Sequence, residues 1–246
     1  MKILDVGQLD FYRQNGYLLP EINLFTEDEF SRMKRFFEDH LNDRGDKLSD
    51  ELDTPHFRDP RLFEFLMHEK VLDVVEDILG PDIGLWSSHF ISKEPFKGRR
   101  TPWHEDSAYW KGKFDRLDQV LTIWLALDES DLENGCMGVI PGSHTHGFSE
   151  YEEAGSLKEN TFSEEIKQGS FNEEEAVWFQ LKPGQFSMHD ARIIHGAGPN
   201  KSPRRRAGYT MRYFNLSMKF RPDYAPGHKV FHCRGKNQAG NPLVYL

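Results

Sequence analysis

The pattern of apolar residues changes at Gly80-Pro81, and this change limits the folds that the chain can adopt. Before that point apolar residues recur at helical spacing, whereas after it short β-branched and aromatic runs alternate with Gly, Pro, Asn and Asp. The predicted strands are Ile83–Lys93, 120–127, 136–140, 176–181, 185–189 and 208–215. This order predicts a mainly β chain with N-terminal helices (α+β), in which a sandwich or barrel carries the functional site.

Two helices are predicted before Gly80. Thr26-Glu27-Asp28-Glu29 fits a capping box, and apolar residues follow it at helical spacing. A second helix is predicted from about residue 60 to residue 79, and Gly80-Pro81 is a typical helix end. Residues 145–175 form a polar, acidic stretch, for which we expect a surface loop or a lid over the site.

Composition restricts the class of protein. A chain of 246 residues, 37% of them hydrophobic, is long enough to bury a full core. No apolar run approaches ~18 residues, so no membrane-spanning segment is expected. The formal net charge of −9 disfavours nucleic-acid binding. Two cysteines, Cys136 and Cys233, give no disulfide framework, and the first residues lack an apolar signal region, so we expect a cytoplasmic protein.

Two segments far apart in the sequence supply residues suited to metal chemistry. Trp103-His104-Glu105-Asp106 holds an imidazole and a carboxylate at i and i+2, which share one face if the segment is a strand. His195 precedes a Gly-rich turn, and Arg204-Arg205-Arg206 follows. Two imidazoles and a carboxylate on one face of a metal leave three positions open, as in non-haem iron(II) oxygenases. A guanidinium suits the far carboxylate of a chelating keto acid.

Spacing alone leaves other histidines as candidate ligands. The competing patterns are His144-Thr145-His146, His189-Asp190, and the pair His228 and His232 at i and i+4. Pro226 and Gly227 weaken a helix at the last pair. The residues that surround each histidine therefore have to decide between them.

Those surroundings resemble the phytanoyl-CoA dioxygenase family of iron(II)/2-oxoglutarate-dependent oxygenases, from the N-terminal helices to about Asn215. The motifs that carry the resemblance are Trp103-His104-Glu105-Asp106, Thr122-Ile123-Trp124-Leu125-Ala126-Leu127-Asp128, Glu133-Asn134-Gly135-Cys136-Met137, Ile140-Pro141-Gly142-Ser143-His144 and His195-Gly196-Ala197-Gly198-Pro199-Asn200. The resemblance implies a double-stranded β-helix core of the jelly-roll, cupin-like type.

The resemblance also implies a set of site residues. The metal ligands would be His104, Asp106 and His195, which leaves His144 in a turn. Arg206 follows His195 at the family's spacing and would bind the distal carboxylate of 2-oxoglutarate, with Arg204 and Arg205 as adjacent alternatives. Further candidates are Thr122 and Lys93 for cofactor contact, Tyr109 and Trp110 for the substrate side, and His189 for a position beside the distal ligand.

The implied organisation is a single domain over residues 1–246, with a mostly helical support (1–80), a β-helix core (81–220) and a C-terminal extension (221–246). The expected activity is that of a dioxygenase that uses Fe(II), 2-oxoglutarate and O2 to hydroxylate an aliphatic C–H of a small organic metabolite, releasing succinate and CO2. The alternatives are a cupin-like metalloenzyme or a metal-dependent binding protein that does not use 2-oxoglutarate. The expected partner is a small-molecule substrate, for a monomer or homodimer, with no nucleic acid and no membrane.

Overall fold

The computed structural model describes residues 2–246. The α-helices are α1 (Val6–Asn15), α2 (Glu27–Asn42), α3 (Phe63–Leu66), α4 (Glu69–Leu79) and α5 (Asp106–Trp110). Short 3-10 helices cover Pro55–Phe57, Pro60–Leu62, Ser143–Thr145, Glu173–Glu175 and Pro222–Tyr224. The strands are β1 (Tyr17–Leu18), β2 (Leu52–Asp53), β3 (Ile83–Lys93), β4 (Thr101–His104), β5 (Val120–Ala126), β6 (Met137–Val139), β7 (Tyr151–Glu153), β8 (Glu164–Ile166), β9 (Val177–Trp178), β10 (Phe186–Asp190), β11 (His195–Ala197), β12 (Arg206–Asn215), β13 (Val230–Arg234) and β14 (Leu243–Val244).

Two facing sheets form the core. Within residues 2–246, the larger sheet has eight strands in the order β1-β10-β5-β12-β3-β13-β14, with β2 also paired to β3. The smaller sheet has the order β4-β11-β6-β9. Trp124 and Ala126 of β5 share an apolar cluster with Met137 and Val139 of β6, so the two sheets pack face to face. This architecture confirms the predicted double-stranded β-helix with N-terminal helices.

The helices cover the outer face of the larger sheet. Met33 and Phe37 of α2 lie in one apolar cluster with Phe90 of β3 and with Tyr209 and Met211 of β12. Because side chains alternate along a strand, the other parity of β12 points towards the smaller sheet. The helical layer therefore packs against the outer face of the larger sheet, and the inner face of that sheet stays available for polar residues.

The helix predictions are confirmed in one case and wrong in the other. Thr26 caps α2 as predicted: its hydroxyl accepts from the backbone N–H of Glu29, whose carboxylate accepts from the Thr26 N–H at 2.8 Å. The second helix ends at Leu79 as predicted, but a single helix over 60–79 is wrong, because the chain forms a 3-10 turn, then α3, and breaks before α4. His68, with ψ of 133°, is extended at that break.

Several elements were not predicted from the sequence. Helix α1 has its own capping box, in which Asp5 and Gln8 bond reciprocally. Strands β1 and β2 come from the helical support, and β13 comes from the C-terminal extension, yet all three join the larger sheet. The stretch 145–175 contains the β7–β8 hairpin rather than an irregular loop.

Candidate active site between the sheets

A cavity of about 720 Å³ lies between the two sheets. Its walls include the inward-facing residues Arg206, Thr210 and Arg212 of β12 and Thr122 and Trp124 of β5. The smaller sheet contributes residues of β4, β6 and β11, including two histidines. The cavity therefore occupies the polar space between the layers, where the sequence analysis expected the site.

The structure brings His104, Asp106 and His195 together in this cavity. His195 on β11 lies opposite His104 on β4 in the antiparallel ladder, and the centroids of their imidazole rings are 4.1 Å apart. Each of the three side chains offers one ligand atom, and these atoms all lie within 4.8 Å of one another. No other group of three His, Cys, Asp or Glu side chains within residues 2–246 meets this condition.

The expected strand geometry at Asp106 needs one correction. Strand β4 ends at His104, and Asp106 is the first residue of the short helix α5. Glu105 between them is still extended, with φ of −115° and ψ of 127°, so the two flanking side chains point the same way. As a result Nε2 of His104 lies 3.8 Å from Oδ1 of Asp106.

Backbone carbonyls set the tautomer of both imidazoles. Nδ1 of His104 lies 2.8 Å from the carbonyl oxygen of Pro102, and Nδ1 of His195 lies 3.0 Å from that of Ile193. A carbonyl only accepts hydrogen bonds, so each Nδ1 carries the proton. Nε2 of both rings is left as a lone-pair donor, which is the arrangement of a metal-binding histidine.

The carboxylate of Asp106 is held on one side only. Its Oδ2 accepts from Nε of Arg212 at 3.3 Å and lies 3.5 Å from the hydroxyl of Thr122. Its Oδ1 faces the imidazoles. The larger sheet thus fixes one carboxylate oxygen and leaves the other for a metal.

Burial and charge keep these groups in ligand form. Burial, reinforced by the nearby His195, lowers the pKa of His104 to about 3, and burial also lowers the pKa of His195. Burial alone would raise the pKa of Asp106, but Arg212 and the imidazoles outweigh it and hold that pKa below its usual range. Two neutral imidazoles and one carboxylate are the donor set of an open iron(II) site.

Arg206 is a buried cation whose Nε has no hydrogen-bond partner among residues 2–246. Its side chain is 3% exposed, and its guanidinium carbon lies 4.5 Å from the ring centroid of Trp124. Burial lowers its pKa from 12.5 to about 10. Gly208 makes room for this stack, because a Cβ there would lie 2.1 Å from Cζ2 of Trp124. A guanidinium in such a place fits a buried anion.

The two neighbouring arginines are used elsewhere. Arg204 donates to Asp131 at 2.6 Å and to Glu129 at 2.8 Å, and Arg205 forms ion pairs with Glu38 and Asp128. Neither lines the cavity. Of the three candidates for the clamp, the structure brings Arg206 to the cavity.

Thr122 and Lys93, the weaker cofactor candidates, have different positions. Thr122 lines the cavity beside Asp106. Lys93 does not: its ammonium group donates to the backbone carbonyls of Arg99 at 2.7 Å and Gly198 at 2.6 Å. Lys93 pairs with Arg206 across the β3–β12 ladder, but it joins two turns instead of facing the site.

His189 lies beside the distal histidine, as predicted. Its ring centroid is 5.0 Å from that of His195, and it is 2% exposed. Neither of its ring nitrogens has a hydrogen-bond partner among the described residues. A buried polar group in this state is uncommon and points to a missing ligand or water.

Three of the other competing histidines, His144, His228 and His232, form contacts with the backbone. Nε2 of His144 lies 3.1 Å from the carbonyl of Arg13, in a turn as predicted, and Nε2 of His228 lies 2.8 Å from that of Trp86. His232 bonds the carbonyl of Gly235. Among residues 2–246, His228 and His232 belong to no group of three possible metal ligands.

Aromatic residues cover the cavity beside His104. Tyr109 and Trp110 line it as predicted, and Phe162 from the 145–175 stretch lies 4.8 Å from the His104 ring. This stretch is tied to the metal motif, because Ser149 donates to the carboxylate of Glu105 at 2.7 Å. Whether it opens as a lid stays a prediction.

Several cavity residues were missed by the sequence analysis. Arg212 shares the strand parity of Arg206, which is a readable signal, whereas Phe162, Asp53 and Lys113 carry none. Their positions depend on how distant segments fold over the sheet.

A double-stranded β-helix with two histidines and one carboxylate at an open site is typical of the non-haem iron(II) oxygenases. The family model described as phytanoyl-CoA dioxygenase (PhyH) matches residues 12–208. The chain therefore belongs to the phytanoyl-CoA dioxygenase family, and it is an enzyme whose cofactors are iron(II) and 2-oxoglutarate.

Individual relatives are distant. A probable phytanoyl-CoA dioxygenase of Caenorhabditis elegans is 26% identical, over 87% of this chain and 76% of that protein. A probable alpha-ketoglutarate-dependent hypophosphite dioxygenase of Stutzerimonas stutzeri is 28% identical over 67% of this chain, which spans 57% of that relative's length. The non-heme monooxygenase ThoJ, in its apo structure, has a TM-score of 0.77 and 23% identity, covering 97% of this chain and 86% of its own. None of the helices in residues 2–246 is long and apolar enough to cross a membrane.

Proposed function

We propose that the protein hydroxylates an aliphatic C–H of a small organic metabolite, and that each turnover converts 2-oxoglutarate and O2 to succinate and CO2. The observation that carries this proposal is the presence, in one cavity, of three converging ligand atoms and a buried guanidinium. A metal site alone would also suit a cupin-like hydrolase or isomerase. A buried cation that lacks an anion favours the keto acid.

In this proposal the metal is held by Nε2 of His104, Nε2 of His195 and Oδ1 of Asp106. Arg212 and Thr122 keep Asp106 oriented through its other oxygen. Such supporting hydrogen bonds fix ligand geometry and typically contribute ten- to a hundredfold to metal affinity.

Arg206 binds the distal carboxylate of 2-oxoglutarate, and the ring of Trp124 packs against the guanidinium. Iron and 2-oxoglutarate, when bound, supply with O2 the oxidising chemistry, in which one oxygen atom enters succinate and the other the product. The chain positions the substrate C–H and excludes water. Phe162 and Tyr109, whose ring centroids are 5.0 Å apart, are placed to do so beside His104.

The test is an anaerobic titration of the apo-protein with iron(II) and then 2-oxoglutarate, following the visible metal-to-ligand charge-transfer band. Wild type should develop the band, His195→Ala should lose it, and Arg206→Met should need far more 2-oxoglutarate. Arg204→Lys is the matched control, because Arg204 lies outside the cavity. Well-folded, iron-loaded wild type without a band would reject the proposal and favour a metalloenzyme that does not use 2-oxoglutarate.

A further inference from the structure

Two opposite charges face the cavity without a partner. Asp53, which is exposed on β2, and Lys113, which is half-buried just after α5, both line it. Within residues 2–246, neither group forms a side-chain hydrogen bond or an ion pair. By contrast, Arg99 on the same wall is paired with Asp50 at 2.5 Å and with Glu51 at 3.2 Å. We call Asp53 and Lys113 the two-charge subsite.

The two charges act on the same space. Burial lowers the pKa of His228, while Asp53 raises it and Lys113 lowers it further, so both groups lie near this ring. Burial also lowers the pKa of Lys113 against the opposing influence of Asp53. An unpaired, half-buried ammonium is unfavourable, and the absence of an ion pair within 4.0 Å leaves room between the two groups for a ligand.

The register of the sheet places this subsite relative to the metal ligands. Asp53 pairs with His89 of β3, and His89 pairs with Thr210 of β12, two residues before Arg212. Two strand spacings of ~4.8 Å put Asp53 about 10 Å to the side of β12. Lys113 follows the helix that begins with Asp106. The subsite is therefore within the reach of a small molecule from the metal ligands, and Asp53 lies level with Thr210, four residues along β12 from Arg206.

Aromatic side chains form the wall between the charges and the metal ligands. Trp86 and Trp110 line the cavity and meet edge to face, with centroids 6.0 Å apart. Tyr224, which is 63% exposed, lines the outer end. Such a wall accommodates a compact hydrocarbon skeleton, whereas the polar groups at its end select for charge.

We propose that the substrate is a small zwitterion, with its cationic nitrogen on Asp53, its anionic group on Lys113, and its carbon skeleton along Trp86 and Trp110. This inference rests on the proposed function, because it assigns the substrate class of the same site. A substrate with a single charge would leave one member of the subsite desolvated and unpaired, and that penalty provides the selectivity.

The first experiment uses iron-loaded protein saturated with 2-oxoglutarate under anaerobic conditions. The probes are matched sets built on aliphatic and cyclic amino acids: the free zwitterion, the N-acetyl anion, the amide cation and the neutral N-acetyl amide. Free zwitterions should perturb the charge-transfer band at lower concentration than their three counterparts. In air they should also stimulate succinate release above the rate without substrate.

The outcomes separate this inference from the proposed function. Absence of the charge-transfer band before any probe is added refutes the proposed function. If the band is intact but singly charged or neutral probes match the zwitterions, or if no zwitterion changes the band at millimolar concentration, the two-charge subsite is not the substrate site and the inference is overturned.

Single substitutions then assign each charge. Asp53→Asn should weaken zwitterion binding about 10- to 100-fold, as expected for a lost charge-assisted hydrogen bond, but leave binding of the N-acetyl anion unchanged. Lys113→Met should also weaken zwitterion binding, but it should leave binding of the amide cation unchanged. Asp46→Asn and Lys111→Met are matched controls, because neither residue lines the cavity. Equal weakening of all probes in both variants would indicate a structural role and contradict the assignment.

Discussion

Replacing Arg206 by Met separates a buried cation that serves a ligand from one that serves the fold. The guanidinium is 3% exposed, and the lowering of its pKa from 12.5 to about 10 corresponds to about 3 kcal/mol against the charged form. Met keeps much of the apolar volume against Trp124 and removes the charge. We therefore expect the apo-protein to keep its free energy of unfolding or to gain up to about 3 kcal/mol.

Binding of 2-oxoglutarate should change in the opposite direction. Removing one partner of a buried ion pair typically costs about 3–5 kcal/mol, so the Kd for 2-oxoglutarate should rise roughly 100- to 5000-fold. Arg206→Lys keeps the charge but loses the bidentate guanidinium, so its Kd for 2-oxoglutarate should lie between those of wild type and Arg206→Met.

The assay combines denaturant unfolding of the apo-protein with the anaerobic charge-transfer titration. Arg204→Lys alters an ion pair in which the arginine side chain is 39% exposed. This variant should match wild type in both measurements. The reasoning is refuted if Arg206→Met binds 2-oxoglutarate as tightly as wild type. A large loss of apo stability would also refute it, since that would make the guanidinium a structural element.

Three further predictions test the surroundings of the site. Gly208→Ala should destabilise the fold by about 1–3 kcal/mol and weaken 2-oxoglutarate binding, because the added Cβ would displace Trp124. Gly198→Ala is the control, since a Cβ at Gly198 meets nothing within 4 Å among the described residues. Equal effects of the two substitutions on unfolding and on the titration would contradict this account. Lys93→Met should lower the free energy of unfolding by roughly 1–3 kcal/mol, because it leaves two partly buried carbonyls without their donor, and it should change 2-oxoglutarate affinity little. A selective loss of 2-oxoglutarate affinity would restore Lys93 as a cofactor contact. His189→Phe should keep or raise apo stability, since both ring nitrogens lack partners, but weaken the charge-transfer complex; a variant that binds iron(II) and 2-oxoglutarate normally would leave His189 without a role at the site.

Strands β3, β5 and β12 of the larger sheet were predictable because their signal is local. Ile83–Lys93 is a single strand as predicted, and 120–127 and 208–215 correspond to β5 and β12 with small shifts at the ends. Alternation along β12 also implied that Arg204 and Arg206 share a face. What alternation could not reveal is that Arg204 lies before the strand and pairs with Glu129 and Asp131.

The rest of the site depends on contacts between distant segments. His104 and His195 meet because β4 and β11 pair in register, and no local pattern specifies that pairing. Lys93 was a reasonable cofactor candidate from its place at the end of β3. Its donors are taken by the carbonyls of two turns whose approach depends on the tertiary fold.

The two sheets contribute different residues to the site, and the surroundings of each sheet explain the difference. The larger sheet has a continuous apolar core on its helical face, so its inner face can hold Arg206, Arg212 and His189. It does so although Nε of Arg206 and both ring nitrogens of His189 have no hydrogen-bond partner within the described part of the chain. The smaller sheet supplies the imidazoles and orients them with its own carbonyls. Functional sites are where natural proteins depart from full satisfaction of buried polar groups. Here two such departures, at His189 and Arg206, lie in the cavity that also holds His104, Asp106 and His195, and a bound keto acid would pair with the Arg206 guanidinium.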